Sequence, residues 1–286
     1  MRYFLIAALL ATTPSLAAAQ TTELSLGISG TWRDKTDSDT EADEFTAAAL
    51  GLRYGTVLDN GVEIIGGFTY QTRLEPDEVS GNRTDDTLDT ALRFDLQAGT
   101  TLANGVYVGG LASIGRVDAS TDQEEEADIY VLGGEVSTEF RGSTIGAQLS
   151  YLDADADDNE GLDEATILVG YVERDVQAIS ASVFAALTYA TGKQDVGGFD
   201  EEDVDILDIA LGASFSAVPF GSATSASFDV ALNYMQIEED EGGGSDVNIN
   251  DTTLSAVYTL RFGNDGRLRR GLPNYTGISA AVHAVD

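Results

Sequence analysis

The chain has 286 residues, 43% of them hydrophobic, with 31 glycines, four prolines and no cysteine. A formal net charge of −34 at pH 7 opposes nucleic acid as a partner. The missing cysteine excludes a disulfide framework, a thiolate metal site and a cysteine nucleophile, and the regular blocks of apolar residues separate the chain from acidic disordered sequences.

The first residues predict an export signal. Arg2 precedes an apolar run from Phe4 to Leu10, and Ala17-Ala18-Ala19 supplies the small residues of a cleavage site before Gln20. The run is too short to span a bilayer as a helix. No later segment has the 18 consecutive apolar residues of a membrane helix. An exported chain of this kind can still enter a membrane as a closed β-barrel.

Twelve strands are predicted, at 22–33, 44–57, 62–73, 87–100, 106–117, 129–140, 144–152, 165–173, 178–191, 205–216, 225–237 and 251–262. Period-two alternation marks most of them. Leu24, Leu26, Ile28 and Trp32 share one face of the first strand. Val62, Ile64, Phe68 and Tyr70 do so in the third, and Leu92, Phe94 and Leu96 in the fourth. Ile145 to Tyr151, Ile179 to Tyr189, Leu207 to Phe215, Phe228 to Tyr234 and Leu254 to Phe262 continue the pattern. The fifth and eighth strands are ambiguous in phase.

The connections alternate in length. Short links at 58–61, 101–105, 141–143, 174–177 and 217–224 are interleaved with long ones at 34–43, 74–86, 118–128, 153–164, 192–204 and 238–250. Short turns at one end, long loops at the other and an even strand count predict an all-β, closed antiparallel transmembrane barrel with periplasmic turns and acidic extracellular loops. Aromatic residues near strand ends fit interfacial girdles. The faces opposite the apolar stripes carry Ser, Thr, Gly, Gln, Asn and charges. A water-filled barrel accepts these; the inner face of a secreted β-sandwich, the competing fold, rejects them. The division expected is a signal peptide at 1–19, a barrel at 20–262 and a periplasmic tail at 263–286.

Gly51-Leu52-Arg53-Tyr54, the turn Asp59-Asn60-Gly61 and Val62-Glu63-Ile64 resemble a hairpin of Gram-negative, alphaproteobacterial-type outer-membrane porins. Leu102-Ala103-Asn104-Gly105-Val106-Tyr107-Val108 repeats that style. Leu254 to Phe262 resembles the closing strand of such barrels, which the barrel-assembly machinery reads. The resemblance implies passive diffusion of small hydrophilic solutes or ions across the outer membrane. Twelve strands imply a narrower pore than the roughly sixteen of general porins. A tail after Phe262 departs from that pattern; carrying Arg267, Arg269 and Arg270, it can fold into the acidic interior, contact the peptidoglycan layer or hang as a loose appendix, the default for a chain terminus.

The phases aim Arg33, Arg53, Arg73, Arg93 and Arg261 into the lumen, on five strands that are neighbours in a closed barrel. Inward acids are Glu135, Glu139, Asp208 and Asp229, mostly elsewhere on the circumference, with Glu63, Asp89 and Asp95 among the arginines. The expectation is a partly segregated pore wall with an arginine-rich side, which screens solutes by charge and dipole. Arg53 and Arg93 are the expected constriction. The alternative is a non-conducting barrel in which these charges pair, and whose acidic loops bind divalent cations or a surface partner.

The long loops with their bordering acids hold 36 of the 49 acidic residues. They are read as a solvated outer rim, with cation bridging to lipopolysaccharide as the functional reading. Within 153–164, Asp153, Asp155 and Asp157 with Glu164 match the spacing of a calcium loop, although Asp158 stands where that loop needs glycine. No other cofactor is expected. An enzyme is not expected either, since the only histidine, His283, lies in the tail, away from any serine–histidine arrangement on the barrel.

Overall fold

A computed structural model describes residues 20–35, 43–74, 87–120, 125–156, 161–196, 200–240, 247–263 and 268–269. Twelve strands follow in order: β1 (Gln20–Lys35), β2 (Asp43–Val57), β3 (Val62–Arg73), β4 (Thr87–Thr101), β5 (Val106–Ser120), β6 (Glu125–Phe140), β7 (Ser143–Ala156), β8 (Gly161–Val176), β9 (Ala181–Val196), β10 (Asp200–Ala217), β11 (Ser225–Asp240) and β12 (Val247–Gly263). Each pairs antiparallel with its sequence neighbours, and β1 pairs with β12, so the sheet closes on itself without an edge. All twelve predicted strands are present. The signal-peptide expectation lies outside the described residues.

The strands are longer than expected at the long-loop end. They run 12 to 18 residues, against the roughly 9–11 that cross a bilayer. Much of what reads in sequence as acidic loop is therefore barrel wall above the membrane. Asp153 and Asp155, for example, lie within β7.

Turn chemistry explains the short links. In Leu58–Val62 and in Leu102–Val106 the Asn side chain accepts the N–H of the following Val at 3.1 Å. The next residue, Gly61 or Gly105, has φ near +80°, which glycine reaches without steric cost. Arg141 and Gly142 both have positive φ between Phe140 and Ser143, the conformation of a two-residue type I′ hairpin.

The outer surface is apolar. Leu26, Ile28, Leu96, Leu132, Leu149 and Leu211 are each more than half exposed, which in a closed barrel makes them a lipid-facing belt. Trp32, Tyr130, Tyr151, Tyr189 and Tyr234 border it on the long-loop side, and Tyr54, Phe140, Phe215 and Phe228 on the other. Phe228 and Tyr234 are six residues apart on one strand, about 20 Å at the usual rise. Three of the upper tyrosines keep their hydroxyls bonded one strand along. Tyr151 donates to Glu164, Tyr189 to Asp205 at 2.8 Å and Tyr234 to Asn250 at 2.8 Å. An apolar ring with a bonded polar tip suits a membrane interface. This surface is that of a transmembrane barrel of the outer-membrane type.

Candidate functional site

The inner wall divides into two halves along the axis. The long-loop half is filled by aliphatic side chains. Val117, Ile129, Leu152, Leu162, Ile167, Val204, Ile206, Ile237 and Ile249 are each under 2% exposed and belong to one packed cluster drawn from β4 to β12. Register partners continue around the ring, as in Ala190↔Ile206↔Ile237↔Ile249. This corrects the expectation of a polar lumen throughout. It also explains the two ambiguous strands. β8 carries Ile167 and Val169 inside and Leu168 and Val172 outside; β5 carries Leu111 and Val117 inside and Val108 and Ile114 outside. A strand that is apolar on both faces has no readable phase.

The short-turn half is charged. Glu23↔Arg53↔Gly67↔Asp95↔Ser113 is one row of register partners across β1 to β5. Glu23 is buried and accepts from Arg53 Nη1 at 3.2 Å and from Arg261 Nε at 3.0 Å. Arg261 Nη2 also donates to Ser227 at 3.1 Å. Asp95 accepts from Arg93 Nε at 3.1 Å and from the Ser113 hydroxyl at 2.8 Å. Gly67 lies between Arg53 and Asp95, both within 4 Å of where its Cβ would be. Its bare backbone lets that row of side chains close up.

The other expected lumen residues are spread along the axis. Arg33 sits at the outer mouth, doubly bonded to Asp251 at 2.8 and 2.9 Å with both side chains 5% exposed. Arg73 ends β3 at that same end. Glu135 is buried and accepts the Tyr171 hydroxyl at 2.5 Å. Glu139, exposed near the short turns, accepts from Thr144 at 2.5 Å. Asp229 accepts from Ser227 at 3.2 Å. Glu63 meets Arg269 at 3.4 Å. The side chain of Asp89 lies outside the described residues. The arginines and acids therefore pair locally, and charge on this wall is less segregated than the strand order alone implies. Arg53 and Arg93 do lie in adjoining rows of the charged half.

Sequence reasoning missed Glu23, although it shares the parity of Arg33 on β1. Of the three placements open to the tail, its two described residues take the interior one. Leu268 is 8% exposed inside the barrel, its amide donating to Glu23 at 3.2 Å and its side chain seated against Gly55. Arg269 reaches into the lumen. Gly263, with φ +91° and no room for a Cβ beside the Gln20 carbonyl, ends β12 where the tail begins. A loose periplasmic appendix does not describe these two tail residues.

At the short-turn mouth, β8 to β12 line a cavity of about 550 Å³. Ser180, Ser182, Ser214, Ser216, Ser225 and Ser227 face it, with Asp175 and Arg261 at its sides. Elsewhere in the wall, Gln97 Nε2, Gln148 Oε1 and Asp208 Oδ1 are buried with no hydrogen-bond partner among the described residues.

The calcium pattern does not fold as a loop. Asp153 and Asp155 are exposed on β7, and Glu164 lies on β8 as the register partner of Asp153. Glu164 is taken by Tyr151. Asp157 lies outside the described residues. No group of three or more candidate metal-binding side chains occurs among the described residues.

No family model and no curated protein sequence matches the chain. Solved structures do. An outer-membrane channel from Pseudomonas putida F1 superposes with a TM-score of 0.52 at 10% identity, over 88% of this chain and all, 100%, of that one. A mutant of the monoaromatic hydrocarbon channel TodX gives 0.48 at 10% identity over 87% and 91%. OmpT, an outer-membrane protein of Vibrio cholerae, gives 0.40 at 12% identity over 84% and 99%. The first likeness shows a shared barrel fold.

Proposed function

We propose that this outer-membrane barrel is a porin-like channel for passive movement of small polar solutes or ions, and that its lumen is gated rather than wide open. The observation that carries this reading is the short-turn half of the wall. A row of fixed charges adjoins, through the Glu23–Arg261 pair, a serine-lined cavity of about 550 Å³. Buried polar atoms at Gln97, Gln148 and Asp208 have no hydrogen-bond partner among the described residues. Such atoms are costly unless water or a solute bonds them. Paired charges on such a wall select by local field and orientation, not by one net sign.

The aliphatic layer under the long loops favours the second reading, a non-conducting barrel. Ions avoid an apolar constriction, so current through it requires the layer to part. Planar-bilayer recordings of the wild type and of the double variant Ile206→Ala/Ile237→Ala separate the two. The channel reading expects small, intermittent current from the wild type and larger current from the variant. Silence from both, in protein shown to be folded by heat-modifiable migration, would sink it. Liposome swelling with sugars of increasing size then sets the solute limit.

A further inference from the structure

Arg269 is held in the barrel as a ligand is held. Its guanidinium carbon lies 3.5 Å from the centre of the Tyr107 ring on β5. Nε faces Glu63 on β3 at 3.4 Å, and Nη1 donates to Ser137 on β6 at 2.8 Å. A flat cation over an aromatic face, with a carboxylate at one edge and a hydroxyl at another, is a pattern that suits guanidinium better than ammonium.

The wall that makes this pattern is fixed independently of the tail. The Tyr107 hydroxyl lies where a Cβ at Gly99 or Gly109 would come within 2.5 to 2.7 Å, so the ring rests on two bare backbones of the barrel wall. Glu63 and Ser137 belong to regular strands. The backbone of the tail is held by other groups. Arg53 Nη2 donates to the Arg269 carbonyl at 2.6 Å, and the Leu268 amide donates to Glu23. Deleting the Arg269 side chain therefore vacates the site while leaving the segment its two backbone anchors.

We propose that Tyr107, Glu63 and Ser137 form a guanidinium-binding site on the lumen wall, that Arg269 occupies it from within the same chain, and that a free guanidinium compound enters when Arg269 is removed. Occupancy by the tail narrows the short-turn half of the lumen. The binding site stands by itself; only this effect on permeation rests on the channel reading.

The test uses the full chain with Arg269→Ala, refolded in detergent and titrated with methylguanidinium by ligand-observed NMR. Saturable binding is expected in the variant and not in the wild type, with methylammonium at matched ionic strength binding more weakly. Adding Tyr107→Leu should weaken binding about tenfold. Arg269→Gln, which keeps a polar side chain in the segment, serves if the alanine variant does not refold. A variant that binds methylguanidinium no better than the wild type, or no better than methylammonium, overturns the site. In planar bilayers the variant should pass more current than the wild type, and methylguanidinium should lower it. Binding with no current from either protein keeps the site and counts against the channel. Current that methylguanidinium leaves unchanged overturns control by the tail.

Discussion

Glu23 is the group on which the charged half of the lumen depends most. It is 6% exposed and accepts from Arg53, Arg261 and the Leu268 amide at 3.0 to 3.2 Å. Replacing it by alanine leaves two arginines without their carboxylate. Removing one partner of a buried pair costs about 3–5 kcal/mol. Both arginines keep a second acceptor, the Arg269 carbonyl for Arg53 and Ser227 for Arg261. The Arg53 side chain is also 23% exposed, which screens its share. The expected loss is therefore at the low end, about 3 kcal/mol. Glu23→Gln keeps an acceptor and loses only the charge, so about 1–2 kcal/mol is expected. Urea unfolding from lipid vesicles measures both, followed by the emission of the chain's one tryptophan. Trp32 sits on the lipid-facing surface, 44% exposed, and enters water on unfolding. A Glu23→Ala midpoint equivalent to less than about 0.5 kcal/mol from the wild type, the range of an ordinary surface change, refutes the reasoning.

Ile237→Ala removes a side chain under 2% exposed from the aliphatic layer and should cost about 2–4 kcal/mol in the same unfolding assay; a neutral result would mean that the layer is loosely packed. Gly263→Val places a Cβ against the Gln20 carbonyl at positive φ. It should cost about 1–3 kcal/mol and speed tryptic cleavage after Arg269, read by mass spectrometry; unchanged cleavage would detach this glycine from tail placement. A double-mutant cycle of Arg33→Ala and Asp251→Ala should give a coupling above about 1 kcal/mol, because the pair is buried and bidentate. Coupling near zero would place the pair in water.

The strand count, the inward parity of the five arginines and the short turns at Asn60-Gly61 and Asn104-Gly105 are legible in the sequence because they are local. Alternation needs only neighbours two residues apart, and a positive φ needs only a glycine. The upper strand ends were not legible. Residues such as Asp153 and Asp203 are acidic and read as loop, yet ladder pairing continues through them because their outward face meets water above the membrane while their inward neighbours Leu152 and Val204 pack in the aliphatic layer.

The site was legible only in part. Parity aims Arg53 and Arg261 into the lumen, but that both meet Glu23 follows from closure of β1 on β12, which joins residues 238 positions apart. The aliphatic layer likewise gathers Val117, Ile167 and Ile249 from distant strands, and one inward isoleucine on its own strand carries no sign of that company. Basic charge opens the acidic interior to the tail arginines, but nothing near Arg269 in sequence names its partners. Its partners lie on β2, β3, β5 and β6, and only the closed barrel brings those four strands around one residue, three of them to its guanidinium and β2 to its carbonyl. The sequence by itself determined the barrel, through the two-residue period of each strand. The tertiary structure decided what fills it, because the contents of a lumen are set by contacts across the barrel that no local period encodes.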